Sequence, residues 1–163
     1  MSVYKEFVMS SEPVTELRRA TLQDAGTIRD IVRAAYAKWV PVIGREPLPM
    51  KADYERAVRE HQIDILYIDG RMLGLIETMQ HADHLWIENI AVRPDSQGKG
   101  LGRHLLAHAE RKAAEAGCAE LRLLTSAAFE ANVALYERGG YIIDRREPFM
   151  GGTTLYMSKK LSP

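Results

Sequence analysis

Three glycines alternate in the stretch Gln97-Gly98-Lys99-Gly100-Leu101-Gly102, which leads straight into the helix-forming run Arg103–Ala116. Glycine admits positive φ and leaves no Cβ to block a ligand from the backbone. The first turn of a helix has unpaired N–H groups, and its dipole favours negative charge there. The chemistry this spacing offers is phosphate binding. Two common phosphate devices are excluded. A Walker loop needs Ser or Thr after its Gly-Lys pair, but Gly100 follows Gly98-Lys99. In a GxGxxG fingerprint the third glycine would fall on Arg103 counting from Gly98, or on Leu105 counting from Gly100. Lys99 and Arg103 add positive charge beside the turn.

Asn132 and Tyr136 stand four residues apart in NVALYERGGY, so on a helix both side chains point one way. A phenol there is either a proton donor or a core aromatic with its hydroxyl at the rim. Glu88 interrupts an apolar strand between Ile87 and Ile90. A carboxylate in that place lies on a solvated sheet face or in a cleft, where partial burial would raise its pKa toward that of a useful base. His84 at the start of the same strand, or water, are the alternative bases. His104 and His108 share the spacing of zinc ligands in HExxH, but Leu105 replaces the glutamate, which leaves a solvated helix face as the reading. His81 and His84 flank a turn, where loop histidines are commoner than ligands, so no metal site is expected.

These groups need elements to hold them. Leu17–Ala20 reads as a first strand. Thr21 and Asp24 resemble a capping box opening a helix whose apolar face runs from Leu22 to Trp39, ended by Pro41. Val40–Met50 reads as a loop and Lys51–His61 as a short charged helix. The period then changes from 3.6 to 2. Ile63–Ile68, Met72–Met79 and Leu85–Val92 read as consecutive antiparallel strands, the first two joined by the hairpin signal Asp69-Gly70. Leu101, Leu105, Leu106, Ala109 and Ala113 form one helical stripe, closed by Gly117. Glu120–Thr125 reads as a strand and Ala127–Arg138 as a helix stopped by Gly139-Gly140. Tyr141–Arg145 and Thr153–Ser158 read as strands around a Gly151-Gly152 turn. The order β-α-α-β-β-β-α-β-α-β-β describes an α/β domain with a mixed sheet and helices on both faces.

Gln97-x-x-Gly100-x-Gly102 after a strand ending in Arg93-Pro94 resembles the acyl-coenzyme A loop of the GCN5-related N-acetyltransferases, the GNAT superfamily. The element order from Leu17 onward is similar to theirs as well. The resemblance implies an acyl-coenzyme A N-acyltransferase, with acetyl-coenzyme A as cosubstrate and a primary amine on a small molecule or a protein as acceptor. The alternative is a domain of this fold that senses acyl-coenzyme A without turnover. In that family the fourth and fifth strands splay and admit the pantetheine arm. The implied partners of that arm are the backbone of Ile90, Ala91 and Val92 and the side chain of Asn132. Amides from Gln97 through Gly98, Lys99, Gly100, Leu101 and Gly102 to Arg103 would hold the pyrophosphate. Tyr136 would protonate the leaving thiolate, and Glu88 would take the amine's proton. Tyr36, Trp39, Glu46, Asp53, Tyr54, Phe149 and Met150 are the implied acceptor-pocket residues. The resemblance also implies a homodimer.

A chain of 163 residues fits one domain, 1–163, with the polar, irregular residues 1–14 expected to be loosely held. Lys+Arg and Asp+Glu are both 22, and a net charge of zero argues against general nucleic-acid binding. No apolar run approaches the roughly 18 residues of a membrane span, and the N-terminus lacks the apolar core of a signal peptide. Cys118 is the single cysteine. It reads as a small residue entering a strand, and a lone thiol suits a reducing cytoplasm.

Overall fold

The computed structural model of the chain describes residues 13–162. Its strands are β1 (Thr15–Arg19), β2 (Gln62–Ile68), β3 (Arg71–Gln80), β4 (His84–Val92), β5 (Glu120–Ser126), β6 (Ile142–Phe149) and β7 (Gly152–Lys160). The helices are α1 (Ala25–Tyr36), α2 (Val40–Ile43), α3 (Tyr54–Glu60), α4 (Leu101–Glu115) and α5 (Glu130–Arg138). The strands form one sheet in the order β1-β2-β3-β4-β5-β7-β6. All neighbours are antiparallel except β4 and β5. A parallel pair needs a crossover, and α4 supplies it.

The period of two divides the core between the sheet's faces. On β2, Ile63 and Ile65 point toward α1 and α3, where they meet Ile28, Ile31, Val32 and Leu75. Leu66 points to the other face, where Leu105, Leu106, Ala109 and Ala113 of α4 cover Ile76, Ile87 and Leu121. The stripe read from the sequence is therefore the buried face of α4. Asp64 lies on this face too and fastens α4 to β2. It accepts from Gln62 Nε2 at 2.8 Å and Lys112 Nζ at 3.2 Å, and its other contact is His108 Nε2 at 2.9 Å. His108 thus has a carboxylate partner. Among the described residues no group of three or more His, Cys, Asp or Glu could hold a metal ion. None of the described helices is long and apolar enough to cross a membrane.

Several boundaries differ from the sequence expectation, each for a local reason. Pro41 does not end a helix. Helix α1 stops at Tyr36, a 3-10 turn covers Ala37–Trp39, and Pro41 sits in the first turn of α2, where the missing N–H costs nothing. Helix α3 starts later than expected because Asp53 caps it, accepting from the Arg56 N–H. Helix α5 starts at Glu130, since Ser126 draws the next residues into a turn, with the Phe129 N–H donating to its carbonyl. Strand β6 runs on through Pro148 to Phe149; as an edge strand it tolerates the lost donor. The final hairpin turns on Met150-Gly151, not Gly151-Gly152, with φ of 46° and 80°, and Phe149 faces Gly152. Asp69-Gly70 is a turn of the same kind, with φ of 51° and 78°. The loose segment expected over residues 1–14 lies mostly outside the described residues. Val14 is tied down: its N–H donates to Asp69 Oδ1 at 3.0 Å and its carbonyl accepts from the Asp69 N–H.

Candidate active site

Strands β4 and β5 pair only from His84↔Glu120 to Ile87↔Leu123. Beyond Ile87 they part, although β4 continues to Val92 and β5 to Ser126. The Arg93 N–H donates to the Leu73 carbonyl. By the alternation of an antiparallel ladder, Ala91 also bonds toward β3, while Ile90 and Val92 turn their main-chain groups into the gap. Gln97 Nε2 donates to the Val92 carbonyl at 2.9 Å, and Lys38 Nζ donates to Gln97 Oε1 at 2.8 Å.

A cavity of about 580 Å³ follows this gap to the glycine turn. Ile90, Ala91, Val92, Gln97, Gly98, Gly100, Leu101, Gly102, Arg103 and Asn132 all line it, whereas Lys99 is exposed and off its wall. Gly98 and Gly100 have φ of 77° and 82°, and nothing lies within 4 Å of where a Cβ would stand on either. Their amides are open to approach. Gly102 serves packing: a Cβ there would come 3.0 Å from Leu135 Cδ2 on α5. Lys38, Arg103, Arg138 and Lys159 make the wall basic, and Glu110 on it is ion-paired with Lys159. Open amides at a helix start and a basic wall fit a pyrophosphate, and the main-chain groups of Ile90 with the Val92 N–H, which β5 leaves without a partner, fit a linear diamide arm.

A second cavity of about 570 Å³ adjoins the first across Tyr36 and Ile90, which line both. A β-bulge shapes its wall. Glu77 on β3 faces Asn89, and the next residue, Thr78, faces Ile87, so Glu88 has no partner. The extra residue shifts the alternation of β4. Leu85 and Ile87 face α4 before it, and Ile90 faces α4 after it. Glu88 and Asn89 therefore both line the second cavity. Asn89 is buried there: Tyr36 Oη donates to its Oδ1 at 2.8 Å, and its Nδ2 donates to Tyr54 Oη at 3.3 Å. Tyr54 Oη donates in turn to the Pro49 carbonyl at 2.6 Å. Glu88 is exposed and accepts from Trp86 Nε1 at 2.8 Å. Tyr136 is buried at the same cavity, its ring edge-on to Tyr141 with centroids 6.0 Å apart. Burial pushes its phenol up, so it stays protonated through the physiological range.

The model of the Acetyltransferase (GNAT) family matches residues 28–141. The chain belongs to this family. The chain is 40% identical over 73 residues to the ribosomal protein bS18-alanine N-acetyltransferase of Escherichia coli strain K12, a match covering 45% of this chain and 49% of that one. The Salmonella typhimurium enzyme of that name is 40% identical over 76 residues, covering 47% and 51%. The chain thus spans about half the length of the curated relatives it matches. The PaiA N-acetyltransferase of Thermoplasma acidophilum, solved with coenzyme A, superposes with a TM-score of 0.79 at 18% identity over 91% of this chain and 99% of that one. The Escherichia coli ribosomal-protein-S18-alanine N-acetyltransferase superposes with a TM-score of 0.72 at 24% identity over 92% and 96%. These two likenesses establish the GNAT fold.

The two cavities draw together most, but not all, of the residues singled out in the sequence. Tyr36, Asp53, Tyr54 and Phe149 line the second cavity as expected. Trp39 lines the first instead, stacked on Phe129 at 5.0 Å. Glu46 pairs with Arg33 at 3.1 Å and Met150 is exposed at the hairpin tip; neither lines a cavity wall here. His84 stacks on His81 and bonds to Asp83, away from both cavities. Three residues the sequence reading missed are on the second cavity: Asn89, Glu77 and His61. His61 Nδ1 lies 2.6 Å from Glu77 Oε2. Burial pushes the Glu77 carboxyl up despite the bond to His61, and the charge of Glu88 pushes the same way. One signal for Glu77 was present. It is the only acid in the apolar run Met72–Met79, as Glu88 is in its own strand.

Proposed function

We propose that this chain is an acyl-coenzyme A-dependent N-acyltransferase that moves an acetyl group from acetyl-coenzyme A to a primary amine by direct attack in a ternary complex. The observation that carries it is the meeting of two cavities at Tyr36 and Ile90. One is basic and edged by open glycine amides, and the other is lined with phenols and carboxylates. Amides from Gln97 to Arg103 hold the pyrophosphate, helped by the Arg103 side chain and, at longer range, by Lys99. The main chain of Ile90 and Val92 pairs with the pantetheine amides while Ala91 walls the arm, and Asn132 bonds to it. The acceptor enters the second cavity as an ammonium ion. Glu88 receives its proton, directly or through water, and the amine nitrogen attacks the thioester carbonyl. Main-chain N–H groups of β4 stabilise the oxyanion. As the C–S bond breaks, Tyr136 protonates the thiolate. The second nitrogen proton returns to Tyr136 through solvent, and the third stays on the product amide.

The 40% identity to ribosomal protein bS18-alanine N-acetyltransferases supports a polypeptide N-terminus as acceptor. An α-amino group, with a pKa of about 7.7–8.0, is also easier to deprotonate than a lysine at about 10.4. The competing reading is a sensor that binds acyl-coenzyme A without turnover. Release of free thiol from acetyl-coenzyme A, measured across a panel of amines and alanyl peptides, separates them. An amine-dependent rate supports the transferase. Tight coenzyme A binding with no amine-dependent thiol supports the sensor.

A further inference from the structure

We infer that the proton leaving the acceptor ammonium ends on His61, held by Glu77, with Glu88 or solvent water as the first station. The inference rests on the transferase reading and deepens it. An ordinary carboxylate, at about 4.3, is ~10⁶-fold too weak a base for an amine at about 10.4, whereas an imidazole at about 6.5 is only ~10⁴-fold too weak. A site that must strip an ammonium near neutrality gains from passing the proton to an imidazole. His61 meets the requirements. It follows the last turn of α3, its N–H donating to the Ala57 carbonyl at 2.8 Å, and it lines the acceptor cavity. Its Nδ1 is 2.6 Å from Glu77 Oε2, and the Glu77 side chain is only 6% exposed. With Glu77 ionised, and so only an acceptor, and the imidazole neutral, Nδ1 carries the hydrogen and the Nε2 lone pair is free. No partner for Nε2 exists among the described residues. With a quarter of its side chain exposed, His61 can also return the proton to solvent.

The pairing of β3 with β4 brings the stations together. Glu77 faces Asn89, and the bulge turns Glu88 and Asn89 into the same cavity. The proton therefore leaves the ammonium nitrogen, crosses Glu88 or cavity water, and forms an N–H bond at His61 Nε2. The resulting imidazolium is opposite in charge to Glu77, and the amine keeps the electron pair it uses for attack. From α3 and its cap, Asp53, Tyr54, Arg56 and Glu60 face this cavity, with Arg56 and Glu60 paired at 2.9 Å. Arg45 faces it from the loop after α2, Glu77 and Glu88 from the sheet, the Tyr36 phenol from the wall shared with the first cavity, and the Tyr136 phenol from α5.

The test is the pH dependence of kcat/KM and of the single-turnover rate. The probes are an alanyl tripeptide with a free N-terminus and n-butylamine, used with wild type, His61→Gln and Glu77→Gln. Calorimetry with coenzyme A confirms that each variant is folded. For His61→Gln the account expects a 10- to 100-fold loss in kcat and removal of the ascending limb that the imidazole contributes, with KM little changed. In Glu77→Gln that limb remains but moves to lower pH, because the imidazolium has lost its counter-charge. Imidazole added to a His61→Ala variant should restore part of the rate. His61→Gln with the wild-type rate and limb overturns the relay and leaves the transferase reading standing. A Glu77→Gln limb that stays in place overturns the positioning role of Glu77. Wild-type protein that releases no thiol with either amine overturns both the relay and the reading beneath it.

Discussion

Replacing Tyr136 with phenylalanine keeps the ring against Tyr141 and removes only the proton that the account assigns to the thiolate. A positioned general acid contributes about 10²–10⁴ in rate. Tyr136→Phe should therefore lose that much in the single-turnover step while its coenzyme A affinity, measured by calorimetry, stays close to wild type. An unchanged chemical step would reduce Tyr136 to a packing residue. Tyr136 and Asn132 were legible in the sequence because a helix repeats locally: four residues apart is one face, whatever the rest of the chain does. The glycines were legible for the same reason. Asn89 and His61 were not, and Glu77 carried only the signal of a lone acid in an apolar strand. The three come from a bulge, the residue after a helix and a strand, and only the register of β3 on β4 brings them to one cavity. Glu88 was found as the acid in an apolar strand. The bulge that turns it and Asn89 to the same side leaves no trace in composition or period.

The turn between β4 and α4 and the parting of β4 from β5 are the two elements that make the first cavity. Gly100 holds φ at 82° with open space where a side chain would begin. A β-branched residue is strained in that conformation and would cover the amides. Gly100→Val should keep the fold and lose most of its affinity for coenzyme A; full affinity in a folded Gly100→Val protein would mean that the ligand binds elsewhere. The seven strands, the helix between β4 and β5 and the Asp69-Gly70 hairpin followed from periodicity and turn residues, whereas Val40–Met50, read as a loop, holds α2 and part of a 3-10 turn. The boundaries that were missed share one cause. Each is decided within one turn: the Asp53 carboxylate accepts the Arg56 N–H, the Ser126 carbonyl accepts the Phe129 N–H, and Pro41, with no N–H to lose, opens α2. The acceptor cavity was the least legible element. Facing the sheet, its other walls are loops and helix ends whose composition resembles any surface, so Trp39, Glu46 and Met150 were assigned to it and belong elsewhere.

On the scale of the whole molecule, Asp64 joins the sheet to α4 and makes stability depend on acid. Burial alone would raise its carboxyl, but bonds from Gln62, His108 and Lys112 outweigh burial and hold it below its ordinary value. A group depressed in the folded state contributes fully above its unfolded pKa, about 3.9, and its contribution is lost as pH falls through the folded value. Asp64→Asn should cost about 1–3 kcal/mol at pH 7 and flatten the acid limb of Tm against pH; an unaltered limb would assign the acid sensitivity to other carboxylates. The homodimer that the family resemblance implies predicts a light-scattering mass of about twice the 18.4 kDa protomer, and the protomer mass at micromolar concentration would contradict it. The central claim is that the β4–β5 gap holds the acyl arm and delivers its thioester between Tyr136 and the acceptor cavity. A crystal structure of the protein with coenzyme A tests this most directly. The account predicts the pyrophosphate on the amides of Gln97–Arg103, the arm bonded to the main chain of Ile90 and Val92, and the sulfur within hydrogen-bond reach of Tyr136 Oη. Coenzyme A bound outside the gap, or bound in it with the sulfur turned away from Tyr136, would contradict it.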